Sequence, residues 1–194
     1  MKKIEKIIKN WILKTYPFNK FYYFLKIIKK SKRRFYYAEN GEDIIIGLLF
    51  NHKNNGYYID VGCYHPYNGN NTKLLYDKGW SGINIDLDFH TIDFFKFIRR
   101  RDENINIAIS DTQGKKELYF FHNRSALNSL SKLREKDAKE TRAIQTITLN
   151  SVIENSKFRN KKINLLSIDV EGYEHQVLKS IDLKKYSPEM IIVE

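Results

Sequence analysis

One cysteine, Cys63, stands among 194 residues, so no disulfide can close within the chain and a reducing compartment is allowed. No Cys/His set has the spacing of a zinc site. No apolar run approaches the ~20 residues that span a bilayer. The basic N-terminus lacks the apolar core and small-residue cleavage site of a secretory signal. Internal repeats and low-complexity linkers are missing, and so is the Gly-x-Gly-x-x-Gly fingerprint of dinucleotide-binding sheets. These absences set aside a disulfide-stapled module, a zinc domain and a spanning helix. What is present is ordinary for one domain with a real core: 42% hydrophobic and 29% charged residues.

The net charge of +11 is unevenly placed. Twelve of the 34 lysines and arginines fall in residues 1–34 beside one acid, Glu5, leaving 22 bases against 22 acids in the rest. Ile4, Ile7, Ile8, Trp11 and Ile12 recur at helical spacing between lysines, Pro17 interrupts, and a second apolar cluster runs from Phe21 to Ile28. This pattern predicts a basic amphipathic helical extension over residues 1–37, ahead of a globular domain at 38–194. An aromatic belt with lysines suits an anionic membrane surface, which implies a cytoplasmic protein held peripherally at the inner membrane face. Packing on the domain and nucleic-acid binding are the other readings, and the rich apolar face disfavours nucleic acid.

Beyond the extension, strands alternate with helices, which implies βαβ units and a mainly parallel sheet. Strands are predicted at Tyr57–Val61, Gly82–Asp86, Ile105–Ser110, Lys116–Phe121, Thr146–Leu149, Ile163–Asp169 and Met190–Val193. Helices are predicted at Glu42–Phe50, Asn71–Lys78, Thr91–Arg100, Ser151–Ser156 and Gly172–Ile181. Residues 122–145 carry no readable period.

Tyr-Tyr-Ile-Asp-Val-Gly at 57–62 and Ile-Asn-Leu-Leu-Ser-Ile-Asp-Val-Glu-Gly at 163–172 are apolar runs ending in an acid and closely followed by glycine. Such runs suit strands buried on both faces, and ligands bind just beyond their carboxyl ends. Asp60, Asp86 and Asp169 would therefore meet over one crevice. An acid ending the second strand commonly bonds ribose hydroxyls, which favours Asp86 over Asp88. Asp111, with Ser110 before it, either faces a base pocket or caps a turn. Asp169 and Glu171 could orient an acceptor hydroxyl, act as a base or bind a metal, or simply favour a helix dipole. His65 and His175 are further bases in reach of neutral pH, each also readable as an ordinary loop or surface histidine. Cys63 reads as a packing residue.

Tyr58–Pro66, Asn70–Asp86, Ile105–Asp111 and Leu166–Glu174, in this order, resemble the FkbM family of S-adenosylmethionine-dependent methyltransferases over about residues 38–194. The resemblance implies a Rossmann-like fold and methyl transfer to a hydroxyl of a sugar, glycan or glycolipid precursor. By that resemblance Asp60, Val61 and Gly62 cradle the methionine end of S-adenosylmethionine, with Asn71 and Thr72 nearby. Asp86 and Leu87 hold the ribose, Ser110 and Asp111 flank adenine, and Asp169 faces the methyl. The base stays open among His65, Asp169, Glu171 and His175, and no metal is expected. The family's sheet closes with two more strands, so the C-terminal strands are expected to be missing, the chain to be a fragment and strand five to be an exposed edge. An inactive membrane-associated binding domain and a nicotinamide-dependent oxidoreductase are the alternatives.

Overall fold

The computed structural model describes residues 36–122 and 125–194. The expected basic helices of residues 1–34 lie outside the described residues. Five strands form one parallel sheet in the order β3-β2-β1-β7-β8: β1 Tyr57–Val61, β2 Ser81–Asp86, β3 Glu103–Asn106, β7 Leu165–Ile168 and β8 Met190–Val193. Three more strands form a second sheet in the order β4-β6-β5: β4 Ala108–Ile109, β5 Gly114–Phe120 and β6 Glu140–Ile147. The helices are α1 Glu42–Leu49, α2 Lys73–Asp77, α3 Phe89–Ile98, α4 Leu149–Asn155, α5 Glu174–Lys179 and α6 Leu183–Tyr186, with a 3₁₀ turn at Lys132–Asp137.

Every residue of β1 is buried because both faces of the sheet are covered. Alternation sends Tyr57, Ile59 and Val61 to one face, where Leu149, Val152 and Ile153 of α4 join them. Tyr58 goes to the other, against Ile46 and Phe50 from α1 and its end, Leu75 of α2, and Trp80. Cys63 packs with Ile92 and Phe95 of α3, as a small apolar residue would. β1 pairs β2 on one side and β7 on the other, so strand order reverses between β1 and β7. In open α/β sheets that reversal opens a crevice at the carboxyl ends of the strands.

Four expectations need correction. The strand predicted at Ile105–Ser110 is divided. β3 ends at Asn106, paired with the last residue of β2, and the Asn106 amide donates to Asp86 O at 2.9 Å. Ile107 N–H also donates to Asp86 O, at 3.1 Å, and the chain then joins β6 in the second sheet. The Thr146–Leu149 strand is the tail of β6, which begins at Glu140 and runs antiparallel to β5. Most of its early residues are exposed, so it shows no apolar alternation to read. The helix predicted from Gly172 begins at Glu174, because Glu171 and Gly172 adopt φ values of 59° and 91°. The helix predicted at Asn71–Lys78 is the single turn Lys73–Asp77.

Candidate active site

The ends of β1, β2 and β7 converge on one cleft. Asp169 N–H donates to Val61 O at 2.9 Å, and Gly62 N–H donates to Ile85 O at 2.9 Å, which draws the three strand ends together. Gly62, with φ 82°, turns the chain away at that point. The cleft measures about 140 Å³ and is lined by Val61, Gly62, Tyr64, Asp86, Leu87, Ile107–Ile109, Ser129, Leu130, Asp169, Glu171, Tyr173 and Glu194, among others.

Asp86 is clamped from below. Tyr64 N–H donates to Oδ2 at 2.9 Å and Asp88 N–H to Oδ1 at 2.8 Å. Tyr64 reaches this position in the left-handed region, φ 46°. Burial outweighs these bonds and lifts the Asp86 carboxyl to about 7, with the charges of Asp88 and Asp60 adding to the rise. Asp88 caps α3, accepting from His90 and Thr91 N–H at 2.8 and 3.1 Å.

Asp169 carries the largest rise on the cleft wall. Burial and the neighbouring Glu194 carboxyl push it up to about 8, and the charges of Glu171 and Asp60 push the same way. Like charges at close range disfavour a second ionisation. Glu171 is raised as well, chiefly by burial, but Arg134 forms an ion pair with it and opposes part of that rise. The opposite rim is tied to β7 through Ser129, whose hydroxyl donates to Val170 O at 2.9 Å and Glu171 O at 3.0 Å.

Of the residues the sequence singled out, Val61, Gly62, Asp86, Leu87, Asp169 and Glu171 come together here. The others are placed differently. Asp60 is buried behind the turn, where its carboxylate accepts from the Thr72 hydroxyl at 2.8 Å and the Asn70 amide at 3.2 Å. Burial lifts it to about 6 against those bonds and the Arg99 charge. Thr72 therefore serves Asp60, and Asn71 bonds the Ser167 hydroxyl at 3.2 Å. The buried Ser110 hydroxyl bonds Asp111 at 2.9 Å and Tyr173 at 3.0 Å, and Asp111 pairs with Lys116 at 3.2 Å. The cleft wall is formed instead by Ile107–Ile109, just before these residues, because the strand leaves the main sheet at Ile107. His65 is buried in its loop, with Nδ1 accepting from Tyr67 and Asn68 N–H, both at 3.1 Å, so it organises that turn. His175 is exposed on α5 and off the cleft wall.

Sequence reasoning missed Tyr64, Ser129, Leu130, Tyr173, Arg134 and Glu194. Ser129, Leu130 and Arg134 lie in the stretch without a period. Tyr173 adjoins the flagged Gly172 and Tyr64 stands two positions past Gly62, and that proximity was the one available signal.

A family model described as Methyltransferase FkbM domain matches residues 60–194. The chain belongs to the FkbM methyltransferase family. No curated protein and no solved structure matches it. The matched span starts at Asp60 and contains every strand end that forms the cleft, so the methyltransferase assignment and the geometry coincide. Among the described residues, no group of His, Cys, Asp or Glu is arranged to hold a metal ion, and no helix is long and apolar enough to cross a membrane.

Proposed function

We propose that this FkbM methyltransferase uses S-adenosylmethionine to methylate a hydroxyl of a sugar, glycan or glycolipid precursor, at the cleft between β1, β2 and β7. The observation that carries the reading is Asp86. Each of its oxygens accepts one backbone N–H, so acceptor positions remain for two ribose hydroxyls, as in other doubly wound sheets. Leu87, Ile107 and Leu130 offer apolar surface to a base, and the Val61–Gly62 turn lets backbone approach the methionine end. Bound there, the cofactor supplies an electrophilic methyl on a sulfonium.

The chain's own work is alignment and proton removal. Asp169 lies on the cleft wall with its proton held until about pH 8, which suits a base operating near neutrality. Glu171 is the weaker base because Arg134 engages its carboxylate.

Isothermal titration with S-adenosylhomocysteine tests the cofactor. Saturable binding with a raised melting temperature is the expected result. A folded sample that shows neither heat nor thermal shift, while NAD produces both, would return the oxidoreductase reading.

A further inference from the structure

α1 is apolar on two sides. Its inner side is locked: Ile46 is buried, and a Cβ on Gly47 would meet the Leu74 side chain at 2.9 Å. Asp43 accepts from Tyr37 N–H at 2.7 Å, and the Lys78 ammonium donates to Gly47 O at 3.1 Å. The helix therefore cannot roll to bury its other side. That side presents Ile44, Ile45, Leu48 and Leu49, exposed by 39, 63, 69 and 56%. Single exposed aliphatics are ordinary, but four contiguous ones on one helix mark an interaction surface.

We infer that this stripe of α1 docks on an anionic lipid surface. Charge and continuity favour that occupant. All of the chain's excess of eleven positive charges lies in residues 1–34, and α1 begins eight residues later, at Glu42. Basic residues attract an anionic surface, and an apolar helix face gains by entering the headgroup boundary. The placement also suits the site: Glu39, three residues before α1, lines the cleft, so docking brings the cleft mouth close to membrane-borne acceptors. The inference shares the proposed acceptor class but is read out without methyl transfer.

The experiment is co-sedimentation of the full chain with phosphatidylglycerol/phosphatidylcholine vesicles. The parent is expected to pellet, and I45E/L48E to lower the partition coefficient at least tenfold. I45K/L48K, which adds two positive charges, is expected to lower it too, because insertion rather than attraction is being removed. Circular dichroism and S-adenosylhomocysteine titration confirm that each variant is folded. A parent that stays in the supernatant overturns the inference. So does equal pelleting of parent and I45E/L48E, or binding by I45K/L48K that matches the parent. A parent dimer in sedimentation velocity, broken by I45E/L48E with pelleting unchanged, assigns the stripe to a second copy instead. Vesicle binding without S-adenosylhomocysteine binding would remove the cofactor reading and leave this one standing.

Discussion

A Cβ placed on Gly62 would lie 1.6 Å from the carbonyl oxygen of Asp169 and 2.7 Å from its carbonyl carbon. Both atoms are backbone, and the Asp169 N–H is already bonded to Val61 O, so neither strand end can give way. Gly62 also sits at φ 82°, where a side chain is strained even in open space. Gly62→Ala is therefore expected to lose about 2–4 kcal/mol of folding stability by urea denaturation. A midpoint equal to the parent's would show that the strand ends are looser than this contact implies.

Asp86→Asn bears on both stability and binding. At neutral pH the buried carboxyl, lifted to about 7, is partly ionised at an electrostatic cost that the amide avoids. Against that gain, the amide keeps one acceptor oxygen and turns its NH2 towards the other backbone N–H, so the apo protein is expected to lose about 1–3 kcal/mol. Its affinity for S-adenosylhomocysteine is expected to fall about 10–100-fold, since hydrogen bonds to a charged acceptor contribute roughly 1.5–3 kcal/mol. Titration calorimetry and a thermal melt read the two effects independently. Unchanged affinity would remove Asp86 from the ribose role.

The carboxyl of Asp169 titrates near 8 in the folded protein against about 3.9 in an unfolded chain. The fold therefore binds a proton that the unfolded chain has lost. Its contribution to stability is complete below about pH 4 and disappears as pH rises towards 8. Asp60 and Asp86, raised to about 6 and about 7, act in the same direction. The apo melting temperature is expected to fall between pH 5 and pH 8.5, and Asp169→Asn to flatten part of that slope. Activity runs oppositely: kcat/KM is expected to climb with its midpoint near pH 8 and to level off above about pH 9 as the base form appears. Asp169→Asn should lower it about 10²–10⁴-fold and abolish the climb. Glu194→Gln, which removes the neighbouring charge, should move the climb to lower pH. A parent profile that is flat from pH 6 to pH 9 would point away from Asp169.

The central sheet was legible because burial on both faces writes itself as apolar runs, and β1 and β7 fall where those runs lie. The acids at the strand ends were legible by position, but not by direction. Asp60 ends an apolar run as plainly as Asp169 does, yet its side chain turns back to Asn70 and Thr72, a choice made by residues ten and twelve positions on. The second sheet was opaque for a related reason. β6 gets its pairing from β5 rather than from an apolar face, so its sequence, Glu140 to Ile147, looks like loop. Ser129 and Leu130 reach the cleft only through that sheet, by the bridge between Ser129 and Tyr119.

Arg99 offers the sharpest test of what holds Asp60 away from the cleft. Its guanidinium is fully buried and donates to Asn70 Oδ1 at 2.7 Å, Pro66 O at 3.1 Å and the Tyr58 hydroxyl at 3.1 Å. Asp102 lies 3.9 Å away and accepts from Gly82 N–H and the Asn84 amide. One cation thus neutralises two buried acids, Asp102 directly and Asp60 through Asn70 and Thr72. Arg99→Met leaves both uncompensated and is expected to lose about 3–5 kcal/mol, the range for breaking a buried pair by removing one partner. Arg99→Lys keeps the charge but loses the fork that reaches Asn70 and Pro66 together, so it should fall between. Adding Asp102→Asn to Arg99→Met removes one stranded charge, and the double variant should regain part of the loss. Urea denaturation of the parent, Arg99→Met, Asp102→Asn and the double variant closes the cycle. Additive losses, or an Arg99→Met variant within about 1 kcal/mol of the parent, would show that the acids do not depend on Arg99.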